Sequence, residues 1–266
     1  MFVQEVIDTI ITDSCGDFRL EKTCDKLICG NPDTKVTGIV TTYMATVDVI
    51  KQAVACRANM IITHEPTFYT GKDINDWLDS DELFAAKKKL IEENEIAIWR
   101  YHDYMHRAKT DRIYDGFMHE IEWDRKLLQN NRVYEINEVT LEELAEYLKQ
   151  KLSMSTIQIV GNPHMKCTRV GILLGGGSLG LGREQMPMEL MREEKLDVMI
   201  CGEIMEWTLC AYVNDATMLG LNKGMIVLGH ERSEEAGMKY MAHWLAPLVE
   251  GTMVTFIDAK EPFTYL

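Results

Sequence analysis

Short apolar runs alternate with amphipathic stretches along much of the chain. A strand is predicted over residues 36–42, and residues 47–57 repeat apolar positions at helical spacing. The apolar run Met60 to Thr63 that follows is short enough for a buried strand. The same succession recurs in a charged helix predicted over residues 82–94 and a strand predicted over 95–101. This alternation is typical of βαβ units in a mainly parallel sheet.

A second set of elements follows Asn130-Asn131. Thr140-Leu-Glu-Glu143 is a capping box, which predicts a helix that runs to about Leu152. Strands are then predicted at 157–160, 169–174, 197–201, 225–228 and 252–257, and helices at 186–194 and 233–248. The pattern predicts an α/β protein with two lobes of mainly parallel or mixed sheets flanked by helices. Residues 1–130 with 225–266 are predicted to form the first lobe, and residues 131–224 the second.

Composition narrows the classes of partner. The 266 residues are 46% hydrophobic, which suits a globular protein, and the net charge of -14 disfavours binding to nucleic acid or to an anionic membrane surface. The seven cysteines include no C-x-x-C pair, so they indicate reduced thiols rather than a disulfide framework or a zinc finger. A start without basic residues and the lack of any 18-residue apolar run favour a cytoplasmic protein.

Three predicted strands end in side chains that can bind a metal ion: His64 and Glu65, then His102, Asp103 and His106, then His230 and Glu234. Each group alone is also compatible with an ordinary surface loop or helix start, where such residues are common. Strand ends at one edge of a parallel sheet are near neighbours, however, and substrates gather there in α/β proteins. A cluster of imidazoles and carboxylates at that edge would suit a divalent transition metal.

These segments resemble the motifs of the NIF-three-like family of dinuclear-metal-centre hexameric proteins, also called the GTP cyclohydrolase 1 type 2 homologue family. The resemblance covers essentially the full chain, and the segments that carry it are Ile61–Pro66, His102–His106, Gly229–Glu234, Thr140–Ala145, Arg169–Ile172 with its following glycine run, Asp197–Glu203 and Pro262–Tyr265. All seven occur in the family's order.

Several positions depart from the family pattern. The second histidine of the first motif is Glu65 here, and the aspartate of the second motif is His106. A pair of histidines expected after Gly202-Glu203 is replaced by Glu206 and Trp207. The changes at 65 and 106 amount to an exchange of an imidazole and a carboxylate. The resemblance therefore implies two divalent ions per chain, of Zn, Fe, Mn or Co, on the ligands His64, Glu65, His106, His230 and Glu234.

The resemblance implies a metal-dependent hydrolase of a small, nucleotide-like or phosphorylated substrate. Glu65 or Glu234 would bridge the two ions, and the candidate catalytic residues are Glu65, His102 and Asp103, with the last two able to orient a ligand or transfer a proton. The alternative is a non-catalytic metal-binding scaffold or regulator. Either protein is expected to self-associate, as a hexamer, and to bind no nucleic acid or membrane.

A third hypothesis rests on Gly175-Gly-Gly-Ser-Leu-Gly180, which satisfies G-x-G-x-x-G directly after the strand predicted at 169–174. Glu203 lies 23 positions beyond Gly180, near the place of a ribose-binding acid. This pattern favours dinucleotide binding. Leu181 stands where a Walker A loop would require lysine.

Overall fold

A computed structural model describes residues 1–123, 127–128 and 132–266, and it divides into two compact units. Unit 1 comprises Met1–Gly116 and Gly237–Lys260, and unit 2 comprises Phe117–Ala236 and Glu261–Leu266. Each unit contains one mixed sheet with helices packed around it, which confirms the predicted α/β class. The predicted lobe boundary after residue 130 lies outside the described residues. The predicted division of the chain into two lobes stays a prediction.

The strands are β1 (Leu27–Cys29), β2 (Ile39–Thr42), β3 (Met60–Thr63), β4 (Ala97–Arg100), β5 (Leu127–Leu128), β6 (Val133–Thr140), β7 (Gln158–Val160), β8 (Lys166–Leu173), β9 (Val198–Cys201), β10 (Gly224–Val227) and β11 (Val254–Phe256). The helices are α1 (Val3–Cys15), α2 (Val47–Ala55), α3 (Glu82–Glu93), α4 (Asp103–Arg107), α5 (Arg112–Glu120), α6 (Leu141–Lys151), α7 (Met186–Glu193), α8 (Ala211–Met218) and α9 (His230–Leu245).

The sheet of unit 1 has the order β1-β4-β3-β2-β11. Strands β4, β3, β2 and β11 are parallel, and β1 pairs antiparallel with β4 at the edge. All residues of β2, β3 and β4 are buried, as expected for parallel strands covered on both faces. Thr63 pairs with Arg100 in the register of β3 and β4. The two strands therefore end side by side, and the segments that begin at His64 and at Tyr101 leave the sheet together.

The sheet of unit 2 has the order β5-β6-β8-β9-β10-β7. Its centre, β8, β9 and β10, is parallel, while β6 and β7 flank it in antiparallel pairing. The predicted capping box starts α6, because Thr140 Oγ1 accepts a hydrogen bond from the Glu143 amide at 3.1 Å and Glu143 accepts one from the Thr140 amide at 2.7 Å. Gly175, Gly202 and His230 follow the carboxyl ends of the parallel strands β8, β9 and β10.

The strand and helix predictions hold to within a few residues at most positions, with two differences that matter for the site. Helix α9 begins at His230 rather than at Ser233, so His230 lies in the helix. Strand β10 belongs to the sheet of unit 2, so the three ligand-bearing strand ends belong to two different sheets. In the part of the chain that the structure describes, no helix is both long and apolar enough to cross a membrane.

Candidate metal centre

Three histidines of unit 1 lie together at the carboxyl ends of β3 and β4. We call His64, His102 and His106 the histidine cluster. The rings of His64 and His102 stack, with centroids 4.5 Å apart, and His106 packs edge-on against them at 5.0 and 4.8 Å. One nitrogen of each ring lies within 4.8 Å of the others. His64 is fully buried, whereas the other two side chains are about one quarter exposed.

Each ring of the histidine cluster directs Nδ1 to an oxygen atom. The acceptors are the Tyr101 carbonyl for His64 at 3.2 Å, Asp103 for His102 at 2.9 Å and Asp111 for His106 at 2.9 Å. A carbonyl or carboxylate oxygen can only accept, so Nδ1 donates in all three rings. The neutral ring then carries its lone pair on Nε2, which is the usual arrangement of a metal-binding histidine and its hydrogen-bonded oxygen partner.

The short helix α4 is tied to the chain segment before β1 by Asp25. The Asp25 carboxylate accepts hydrogen bonds from the amides of His102, Asp103 and Tyr104, at 2.9, 2.7 and 3.0 Å. These are the amides that a helix start leaves without intrahelical acceptors. Burial raises the pKa of Asp25, although the three donors oppose that shift. Asp25 therefore fixes the backbone from which two residues of the histidine cluster project.

Asp103 is held as an anion beside His102. Partial burial would raise its pKa, but hydrogen bonds from the Cys24 amide, His102, Thr23 and the Cys24 thiol together lower that pKa to about 2. The Thr23 hydroxyl and the Cys24 amide each donate at 2.9 Å. Burial raises the pKa of Cys24 to about 12, so its thiol stays protonated and donates to Asp103 at 3.4 Å.

Glu65 forms an ion pair with a buried arginine from β4. Glu65 Oε2 lies 3.1 Å from Arg100 Nη2, while Glu65 Oε1 lies 3.7 Å from His102 Nε2. The Arg100 side chain is 4% exposed, and it also donates to the carbonyls of His64 at 3.2 Å and Gly71 at 2.6 Å. Asp73, also buried, lies 4.0 Å from the same guanidinium. The Glu65 carboxylate is thus oriented by a fixed positive charge.

A second group of donors lies in unit 2, at the start of α9. His230 Nε2 lies 3.0 Å from Glu234 Oε2, one helical turn away, and His230 Nδ1 lies 3.4 Å from Glu203 Oε2. The Glu234 side chain is nearly buried, at 4% exposed. Gly175, with a φ of 50°, faces this pair, and a Cβ there would overlap the Glu234 carboxylate and lie 2.8 Å from His230 Nε2. The glycine leaves room for the donors.

The glycine run and the loop after β9 also have defined places in unit 2. Residues Gly175–Leu179 form a 3-10 helix, and the α-helix that follows begins only at Met186. The α-helix N-terminus that binds a pyrophosphate in a dinucleotide-binding fold therefore does not follow the glycines directly. Trp207, at a position where the family pattern has an imidazole, is 72% exposed.

The structure places His64, Glu65, His102, Asp103 and His106 in unit 1, and His230 with Glu234 in unit 2. Sequence reasoning missed the residues that hold these side chains in place: Asp25, Arg100, Asp111 and Gly175. For Asp111, an aspartate five positions after His106, the signal was present in the sequence. For Asp25 and Arg100 the partner lies 77 and 35 positions away, so only the fold identifies it.

Comparison with known sequences gives one family across nearly the whole chain. The model of Duf34/NIF3 (NGG1p interacting factor 3) matches residues 3–262. A GTP cyclohydrolase 1 type 2 homolog from Clostridium acetobutylicum is 27% identical over 220 residues, which cover 78% of this chain and 76% of that protein. A protein of the same description from Clostridium perfringens is 22% identical over 252 residues and covers 90% of each chain.

Solved structures have a similar fold. The crystal structure of Staphylococcus aureus protein SA1388 matches with a TM-score of 0.75 at 18% identity, covering 100% of this chain and 99% of that chain. A Bacillus cereus protein related to NIF3 also matches with a TM-score of 0.75, at 15% identity and with the same coverage. At these identities the likeness concerns the fold alone.

Proposed function

We propose that this chain, which belongs to the Duf34/NIF3 (NGG1p interacting factor 3) family, binds two divalent metal ions and hydrolyses a small substrate. The observation that carries the proposal is the histidine cluster, in which three imidazole nitrogens lie within 4.8 Å of one another. Such a concentration of one donor type beside anchoring carboxylates is typical of transition-metal sites.

The residues present fit a divalent ion in each unit. In unit 1 His64 and His106 are the proposed ligands, and their Nδ1 atoms already donate to oxygen. In unit 2 the proposed ligands are His230 and Glu234, which face the space that Gly175 leaves open. Imidazole and carboxylate donors suit Zn, Fe, Mn or Co. Glu65, the remaining ligand that the sequence predicts, lies 3.1 Å from the Arg100 guanidinium.

A bound divalent ion would lower the pKa of a water molecule and polarise a carbonyl or phosphoryl oxygen. The chain's own residues would orient the reactants. Asp103, an anion at neutral pH, holds Nδ1–H of His102 and so keeps Nε2 of that ring as an acceptor. His102, about one quarter exposed, can accept a proton there. Glu65, the other catalytic candidate, lies 3.7 Å from that nitrogen and would stabilise the protonated ring.

The substrate class follows from the relatives and from metal chemistry. Two relatives are described as GTP cyclohydrolase 1 type 2 homologs, which favours a nucleotide-like or phosphorylated compound. We also propose that the chain assembles into a hexamer, which light scattering on the purified protein would test by its molar mass.

A non-catalytic metal-binding scaffold is the second candidate, and the ion pair of Glu65 favours it. The Glu65 carboxylate, one of the catalytic candidates, is held in an ion pair by a buried guanidinium, which is a structural role. Loss of assembly on metal removal, with no turnover of any substrate, would support the scaffold.

Metal analysis of the purified protein tests the binding proposal. About two ions per chain are expected, falling in His64→Ala and unchanged in the control His164→Ala, whose side chain is 82% exposed. Fewer than one ion per chain in the wild-type protein would rule the proposal out. Catalysis is tested by screening phosphate esters and cyclic amides with added Mn or Zn. Turnover that Glu234→Gln abolishes supports the hydrolase.

A further inference from the structure

The histidine cluster contains one more imidazole than the sequence assigned to metal binding. His102 stacks on His64 and lies 4.8 Å, between ring centroids, from His106. The sequence places His102 behind the ligands, as an orienting or proton-transferring residue, and ligation through Nε2 would replace the proton transfer proposed above for that nitrogen. Its ring nitrogen lies within 4.8 Å of those of His64 and His106, so it belongs to the same group of donors that could hold one ion.

The hydrogen bonds make the same nitrogen, Nδ1, the donor in all three rings. Each Nδ1 is engaged with an oxygen acceptor, from Tyr101, Asp103 or Asp111. Each neutral ring therefore has its lone pair on Nε2, and one nitrogen of each ring lies within 4.8 Å of the others. A single cation would attract all three. Ring packing by itself does not require a separate oxygen anchor for every ring, whereas metal-binding histidines almost always have one.

Glu65 has a different environment. Its carboxylate pairs with Arg100, whose other nitrogens are directed to the carbonyls of His64 and Gly71. The fully buried Asp73 side chain lies 4.0 Å from Nη1 of the same guanidinium. An arginine beside a carboxylate repels a second cation and stabilises the anion without it. Glu65 and Arg100 thus form a matched pair at a position where the family motif has an imidazole.

From these contacts we propose that His64, His102 and His106 together bind one divalent ion in unit 1, with His102 as a direct ligand and Glu65 held by Arg100 outside the coordination shell. The inference rests on the proposed function, since it names the ligands of one of the proposed ions. Three imidazoles leave a coordination position for water or substrate, as in catalytic zinc sites with three protein ligands. Nitrogen donors favour zinc or cobalt over manganese or magnesium.

The test measures ligands directly on zinc. All proteins in this test carry His230→Ala, which removes a proposed ligand of the ion in unit 2. Full-length protein freed of metal would be loaded with one equivalent of zinc, and X-ray absorption would count the imidazoles bound to it. Three are expected when His102 is intact and two in His102→Ala. Glu65→Gln and the exposed control His164→Ala should both retain three. Calorimetric titration with zinc should show a Kd weakened by about 100-fold or more in His102→Ala and by less than about threefold in Glu65→Gln.

The outcomes separate the inference from its premise. A wild-type protein that binds no zinc would refute the proposed function itself. Zinc binding that keeps its imidazole count and Kd in His102→Ala would overturn only the assignment of His102. A loss of about 100-fold in Glu65→Gln would overturn only the placement of Glu65 outside the coordination shell. Should His102→Ala fail to fold, the count in His230→Ala with His102 intact still decides, because two or fewer imidazoles on zinc contradict a three-histidine site.

Discussion

The ion pair between Glu65 and Arg100 can be measured by a double-mutant cycle. Glu65→Gln keeps the size of the side chain and removes its charge, and Arg100→Met keeps much of the apolar stem. Both side chains are largely buried, at 13% and 4% exposed, so solvent screens their interaction only weakly. The cycle would be run on metal-free protein, because a bound ion would add its own coupling to nearby charges.

The expected magnitudes follow from the contacts. At 3.1 Å the Coulomb attraction is about 5 kcal/mol with an effective dielectric constant of about 20, before the cost of desolvation. We expect Glu65→Gln to lower the free energy of unfolding by about 1–3 kcal/mol, since Asp73 still faces the guanidinium. Arg100→Met should cost about 3–5 kcal/mol, because it removes the cation from two carboxylates and the donors from two carbonyls.

Urea denaturation followed by circular dichroism would give the free energies, in buffer with a chelator. The coupling energy between the two substitutions should be about 1–3 kcal/mol. The matched control is the exposed pair Lys88 and Glu92, 3.8 Å apart with side chains 53% and 64% exposed. Its coupling should be below about 0.5 kcal/mol. A coupling at Glu65 and Arg100 no larger than this control would refute the reasoning, and with it the view that Arg100 fixes Glu65.

Three further predictions concern other parts of the chain. Gly175→Ala should displace the carboxylate of Glu234 and weaken zinc binding in unit 2 by about tenfold or more. Gly176→Ala is the control, because a Cβ at that position meets no atom within 4 Å. Equal zinc affinities of the two variants in calorimetry would contradict this prediction. Burial lowers the pKa of Lys87 from 10.5 to about 8, so between these pH values the unfolded chain binds more protons than the folded chain. The wild-type protein should therefore gain about 3 kcal/mol of stability relative to Lys87→Met as the pH rises from 8 to 10.5. A difference that does not change with pH in urea denaturation would count against that burial cost. Thr140→Ala should lower the free energy of unfolding by about 0.5–2 kcal/mol by removing the cap of α6, and no loss in the same assay would show that the cap is dispensable.

Local sequence patterns predicted the strands and helices because those patterns reflect which side chains are buried. Strand β3 begins and ends with the apolar run Met60–Thr63, as predicted. Helix α6 also starts at the predicted Thr140 capping box. Side-chain period and cap chemistry act within a few residues, so one sequence contains enough information for them. The start of α9 was placed three residues late because Gly229-His230 resembles a loop, whereas the chain already turns into the helix at His230.

The metal-binding side chains of the candidate site were predictable from the sequence, but the residues that hold them in place were not. Imidazoles and carboxylates directly after apolar runs indicated metal chemistry, and β3 and β4 do bring His64 and His102 together. The expected exchange between Glu65 and His106 stays a prediction. The stacking of His102 on His64 was not predictable, because it brings together two rings that follow different strands, which no spacing along the chain expresses.

The sequence by itself determined the α/β class, the order of most strands and helices and the residue types that could bind a metal, because each depends on periodicity or on neighbours a few positions apart. Tertiary structure alone decided that β10 pairs with β9 and so belongs to the second sheet. It also decided that Asp25 anchors the backbone of His102 and that Arg100 neutralises Glu65. These contacts join residues 35 to 77 positions apart, and they exist only because strand pairing and burial bring the segments together.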